Sequence, residues 1–226
     1  MVAYHAIQIS IIRLSYPVAA RTKETSVPMT DTARPPRPRF TGVDTYIDPH
    51  GRFTFRYPSD WYRYELDNGL EGVLFSPERE DPKTFFSAWV RQLEAEAVAE
   101  DLPLLQKGIA DGLAQLPECV IESSSDDTYG NLIKFERIYT FRDGDDVRKR
   151  KVWIMYVAQW QIVLTYQGRT PEEWEYWLPM GNYAFALFSI PPELWFATDR
   201  DLTKKTGLPK KEKVRRGRAK DEEGNS

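Results

Sequence analysis

Two histidines, His5 and His50, and one cysteine, Cys119, bound the chemistry open to this 226-residue chain. Nucleophilic catalysis needs a placed imidazole beside the nucleophile, and a zinc centre needs clustered thiolates and imidazoles. His50 stands in Pro49-His50-Gly51, a turn signal, and reads as a solvated turn residue. A lone cysteine gives no internal disulfide and no thiolate cluster within one chain, and it fits a reducing, cytoplasmic location.

The acidic groups read in the same bounded way. Asp143-Gly144-Asp145-Asp146 has the Asp-Gly core of a calcium loop, with Asp126 and Asp127 as further oxygen donors, but it lacks the alternating ligands and the distal Glu. A hairpin turn is the plainer reading. Glu94, Glu96 and Glu100 precede a helix and read as a solvated edge. Glu172 and Glu173 sit at a helix start, where the dipole favours carboxylates. There is no Gly-rich phosphate loop, no Gly-x-Ser-x-Gly elbow and no dinucleotide fingerprint. No catalytic residue, cofactor or metal ligand is assigned.

The aromatic residues are more suggestive. Trp153, Trp160, Trp174, Tyr176, Trp177 and Tyr183 are more than helical and strand spacing can bury together. Tyr176 and Tyr183 fall off the main apolar face of their segment. Aromatic side chains left at a surface are the ones that anchor protein interfaces. Trp177, Tyr176, Tyr183 and Trp153 are therefore the candidate binding residues.

These side chains need elements to hold them. Gln159–Gln167 alternates strictly: Trp160, Ile162, Leu164 and Tyr166 point one way, and Gln159, Gln161, Val163, Thr165 and Gln167 the other. That period predicts a strand with one dry and one wetter face, with helices on one side only. Leu132–Phe141 and Val147–Val157 read as a hairpin around Asp143-Gly144, and the Arg148-Lys149-Arg150-Lys151 run as solvated protection of a strand end. Thr170-Pro171-Glu172-Glu173 opens a helix running to Ile190. Pro179 and Gly181 predict a kink or break there, with a second segment from about Asn182. Upstream, strands are expected at Thr45–Asp48, Arg52–Tyr57, Leu70–Ser76 and Thr84–Leu93, a helix at Asp101–Leu116, and a short strand at Cys119–Ser124. Trp61 is expected to plug the sheet end, and Leu194-Trp195-Phe196 to pack back on the body.

Charge divides the chain. Residues 1–43 carry 6 Lys and Arg against 2 Asp and Glu, residues 198–226 carry 10 against 6, and residues 44–197 carry 15 against 26. The expected organisation is a disordered leader (1–43), an α+β domain (44–197) and a disordered basic tail (198–226), with two alternatives for the start of translation, Met1 or Met29. An acidic body argues against a duplex-binding surface on the fold. In the tail, Lys210, Lys211, Arg215 and Arg216 offer a nucleic-acid or anionic-membrane contact, against the plainer reading of a solvated tail. No run approaches the about 18 apolar residues that read as a bilayer span.

The chain resembles the PsbP-like family. The resemblance lies in Gly51-Arg-Phe-Thr-Phe-Arg-Tyr-Pro-Ser-Asp-Trp61, in Gly72 to Pro77, in the polar hairpin at Asp143-Gly144, and in the last helix from Pro171 through Pro179 to Ala186-Leu187-Phe188-Ser189-Ile190. It spans roughly residues 45–190. It implies an α/β/α sandwich, with a single antiparallel sheet covered by two helices, that is non-enzymatic and docks to a protein partner. The alternative is a small-molecule or metal-ion module in the same fold, using a pocket between sheet and helix.

Overall fold

The structure, a computed structural model, describes residues 37–66 and 69–196. Met29 and the tail residues Lys210, Lys211, Arg215 and Arg216 lie outside them. In chain order the elements are β1 (Val43–Ile47), β2 (Thr54–Pro58), β3 (Tyr62–Glu65), β4 (Glu71–Ser76), β5 (Phe85–Gln92), α1 (Leu102–Ala114), β6 (Val120–Tyr129), β7 (Leu132–Asp143), β8 (Asp146–Val157), β9 (Trp160–Gly168), α2 (Pro171–Ala186) and α3 (Pro192–Trp195). The architecture is α+β. Seven strands form one antiparallel sheet in the order β3-β4-β5-β9-β8-β7-β6, and β1 and β2 form a separate antiparallel ribbon.

The β7–β8 hairpin closes at Asp143 and Asp146, with Gly144 at φ 63° in the first central position. Glycine tolerates that angle without a Cβ penalty, and the arrangement matches the strand twist. Thr170 caps α2: its hydroxyl accepts from the Glu173 amide at 3.2 Å, and Pro171 takes the first helical position.

Both faces of the sheet are covered. On one, Val73, Phe75, Phe86, Leu164 and Tyr166 pack against Trp174, Met180, Ala184 and Phe185 of α2 and against Tyr46, Phe53 and Phe55 of the ribbon. On the other, Trp89, Phe135, Ile154 and Val163 pack against Leu105, Ile109 and Leu113 of α1. The resemblance implied this sandwich; the strand pattern did not. The expected wetter face of β9 is buried, with Gln161, Thr165 and Gln167 all at 5% exposure or less. The reason is position: β9 lies at the centre of the sheet, under α1 on that side. The buried glutamines are satisfied. Gln161 accepts from Arg91 at 2.7 Å and donates to the Tyr156 hydroxyl at 2.9 Å, and Gln167 donates to the Lys83 carbonyl at 3.0 Å.

Two more expectations are corrected. The Arg148–Lys151 run is not a solvated strand end. Strand β8 lies between β7 and β9, so Arg148 and Arg150 point under the α1 side and are buried at 2% and 6% exposure. Helix α2 also has no break: it runs from Pro171 to Ala186 with Pro179 inside it, and no second segment starts at Asn182. Gly181 serves packing there instead, because a Cβ would meet the Tyr166 ring at 2.7 Å. Strand β3 and the second half of β6 were not anticipated.

Candidate docking surface

Helix α2 presents two kinds of aromatic residue. Trp174 turns inward: it is buried, its ring lies 5.6 Å from that of Tyr166, and its carbonyl accepts from the Tyr166 hydroxyl at 2.7 Å. Burial pushes the Tyr166 phenol far above its usual range. The Lys149 ammonium sits over the Trp174 ring at 4.2 Å. The other kind stays at the surface. Tyr176, Trp177 and Tyr183 are half-buried.

Segments distant in sequence complete these residues. The Trp61 amide donates to the Pro58 carbonyl at 3.1 Å, so the turn after β2 aims the indole at α2. Trp61 is buried and meets Trp177 edge-on at 5.7 Å, and Trp177 meets Tyr176 edge-on at 5.0 Å. Edge-on aromatic pairs are favourable beyond the area they bury. Further along the helix, Tyr183 meets Phe40 at 4.9 Å, with Phe40 itself exposed. Tyr176 and Tyr183 are seven positions apart, two turns along one side of α2. Sequence reasoning missed Phe40, which precedes the regular elements, and found Trp61 only as a plug. Neither contact leaves a local signal.

Trp153 has a different setting. It lies on β8, with its ring 4.9 Å from Phe185, the Lys134 ammonium 4.2 Å above it and the Lys151 ammonium at 5.7 Å. Its indole N–H donates to Glu136, which also pairs with Lys151 at 3.6 Å. Trp153 thus belongs to a ladder of charges on β7 and β8.

The carboxylates of the Asp-Gly hairpin have a structural partner. Asp143 and Asp146 grip the Arg148 guanidinium at 3.2 and 2.8 Å, so the Asp-Gly hairpin serves a buried arginine. Glu94, Glu96 and Glu100 are exposed. His50 is exposed in its turn, 3.9 Å from Glu71. It lines an open depression of about 490 Å3 with Arg52, Glu71, Trp160, Glu193 and Leu194. Arg52 is already bound there: Asp48 holds it through two bonds of 2.8 Å, Glu71 through one of 2.6 Å, and its guanidinium lies 4.8 Å from the Trp160 ring centre. Among the described residues no three His, Cys, Asp or Glu side chains gather as a metal-ligand set, and no helix is long and apolar enough to cross a membrane.

No family model matches the chain, and no curated protein does. Solved structures do. The PsbP protein CyanoP of the cyanobacterium Synechocystis matches with a TM-score of 0.50 at 14% identity, over 66% of this chain and 92% of that one. LpqN of Mycobacterium tuberculosis, described as involved in cell envelope biogenesis, matches with a TM-score of 0.48 at 15% identity, over 66% of this chain and 91% of that one. With its seven-stranded antiparallel sheet between α1 and α2, the chain has the PsbP-like fold.

Proposed function

We propose that this chain is a non-enzymatic docking module that binds a protein partner through the outer flank of α2. The observation that carries the reading is the aromatic flank itself. Tyr176, Trp177 and Tyr183 stand half-exposed on one helix, held in place by Trp61 and Phe40 from other segments. Rigid aromatic side chains of this kind lose little entropy on binding and bury much area, which is why they dominate interface energetics. The non-catalytic part of the reading rests on the sequence, which has no nucleophile–base pattern.

The test compares the wild-type chain with the Trp177→Ala, Tyr183→Ala double variant as immobilised baits, quantifying each captured protein by mass spectrometry. Thermal unfolding of both baits confirms that the variant is folded. A specific partner should be lost from the double variant and retained by Arg63→Ala, which alters an exposed residue of β3. Equal capture by all three baits overturns the assignment.

A further inference from the structure

The large sheet ends differently on its two sides. At one margin stands β3, four residues long. At the other stands β6, ten residues long, with no proline, lysine or arginine in it. Among the described residues no other segment takes up the outer row of its backbone N–H and C=O groups. Natural sheets blunt long edges with lysine, proline or shortness, because an open edge pairs with another strand. The bulge of β6, at Glu122, lies near its start and leaves Ser123–Tyr129 in unbroken register with β7.

The acidic groups of β6 do not guard it either. Lys149 holds Glu122 at 2.9 Å, Arg137 holds Asp126 at 2.5 Å and Lys134 holds Asp127 at 3.8 Å. Each carboxylate therefore brings its own cation to the edge. The centre of the strand is polar and exposed, Ser123-Ser124-Ser125. Its ends are apolar: Val120 and Ile121 are 59% and 50% exposed at one, and Tyr129 is 53% exposed at the other. A strand of that pattern is complementary to itself when reversed.

We infer that two copies of this chain join antiparallel through β6, about a two-fold axis at Ser125, so that one sheet runs through both. Directly opposite residues of an antiparallel ladder share a face, so sides must match. Pairing with β7 puts Val120, Ser123, Ser125, Asp127 and Tyr129 on the α2 side of the sheet, and Ile121, Ser124, Asp126 and Thr128 on the α1 side. With the axis at Ser125, Ser124 faces Asp126 and Ser123 faces Asp127, pairs in which a hydroxyl donates to a carboxylate. Glu122 stays in its bulge, and Val120 of each copy meets Tyr129 of the other. An axis at Asp126 would set that acid against its own copy. An axis at Ser124 would set Asp126 against Ile121 and Asp127 against Val120. The interface is isologous and closes at two copies. It uses none of the α2 aromatics, so it stands or falls apart from their docking role.

The test is the mass of the full chain in solution, by sedimentation equilibrium over a concentration series reaching millimolar. The wild type should approach twice the mass of one chain. Ser125→Lys sets two ammonium groups side by side on the axis and should stay at the single mass, with its unfolding temperature confirming the fold. In a Cys119→Ser background, Ser125→Cys should give a disulfide-linked dimer on oxidation, because the axial residue meets its own copy. Thr128→Cys, three positions along β6, should not. If Ser125→Lys fails to fold, the two cysteine variants decide the matter. A wild type at the single mass throughout, a Ser125→Lys chain that dimerises as the wild type does, or Ser125→Cys cross-linking no better than Thr128→Cys overturns the inference.

Discussion

At the residue scale, burial and partnering override chemical type. The pair of Asp48 and Arg52 shows this most clearly, with side chains 3% and 6% exposed and joined at 2.8 Å. Desolvation pushes the Asp48 carboxyl up, but hydrogen bonds and charge from Arg52 outweigh it and hold the group below its ordinary value. Its contribution to stability is therefore complete above the unfolded pKa of about 3.9 and is lost as pH falls through the lower folded value. Urea unfolding repeated at successively lower pH should show that acid limb, and Asp48→Asn should flatten it. Arg52→Met leaves Asp48 buried without its cation and should cost about 3–5 kcal/mol in the same assay. The sequence revealed little of this. Asp48 and Arg52 flank a turn that reads as punctuation, and Arg148 and Arg150 read as solvated because charge in a strand is usually solvated. The surface aromatics of α2 were legible because helical spacing separates Tyr176 and Tyr183 from the face that packs. Their neighbours Phe40 and Trp61 were not, because tertiary contacts supply them.

At the element scale, strands with alternating patterns and capped helices could be read, and polar or interrupted elements could not. Thr170-Pro171 marks the start of α2 in both sequence and structure. By contrast β6 is exposed along nearly all of its length, so it has no alternation to detect, and its bulge near Glu122 shifts what pattern there is. Strand β3 has four residues and follows Pro58-Ser59-Asp60, which reads as a stop. Pro179 is the instructive failure. Packing of Trp174, Met180 and Phe185 keeps α2 continuous through a residue that donates no backbone hydrogen bond. Pro179 is exposed, so Pro179→Ala should restore that bond and raise stability, by up to about 3 kcal/mol in chemical denaturation. Gly181→Ala should act oppositely. Its methyl would press on the Tyr166 ring, an overpacking that costs about 1–3 kcal/mol.

At the scale of the whole molecule, the covered sheet keeps its phenols out of water. Tyr139 and Tyr166 are raised by burial, and Tyr156 is pushed up to about 12 by burial, against the opposing influences of Gln161 and Arg91. Above the ordinary phenol value of about 10 the unfolded chain sheds these protons while the native chain keeps them, so stability must fall as pH rises. Unfolding followed between pH values of about 9 and 12 should show this decline, and Tyr156→Phe should lessen it. That both faces of the sheet are covered was legible only through the resemblance, because whether the polar side of a strand meets water or a second layer depends on where the strand lies in the sheet. That lateral order, with β9 at the middle and β6 at one margin, has a consequence in time as well as in space. Backbone amides exchange with heavy water only when the local structure opens, and opening is easiest where fewest neighbours resist it. In a single copy of the chain, deuterium should therefore enter as an advancing front, reaching β6 early and β9 last.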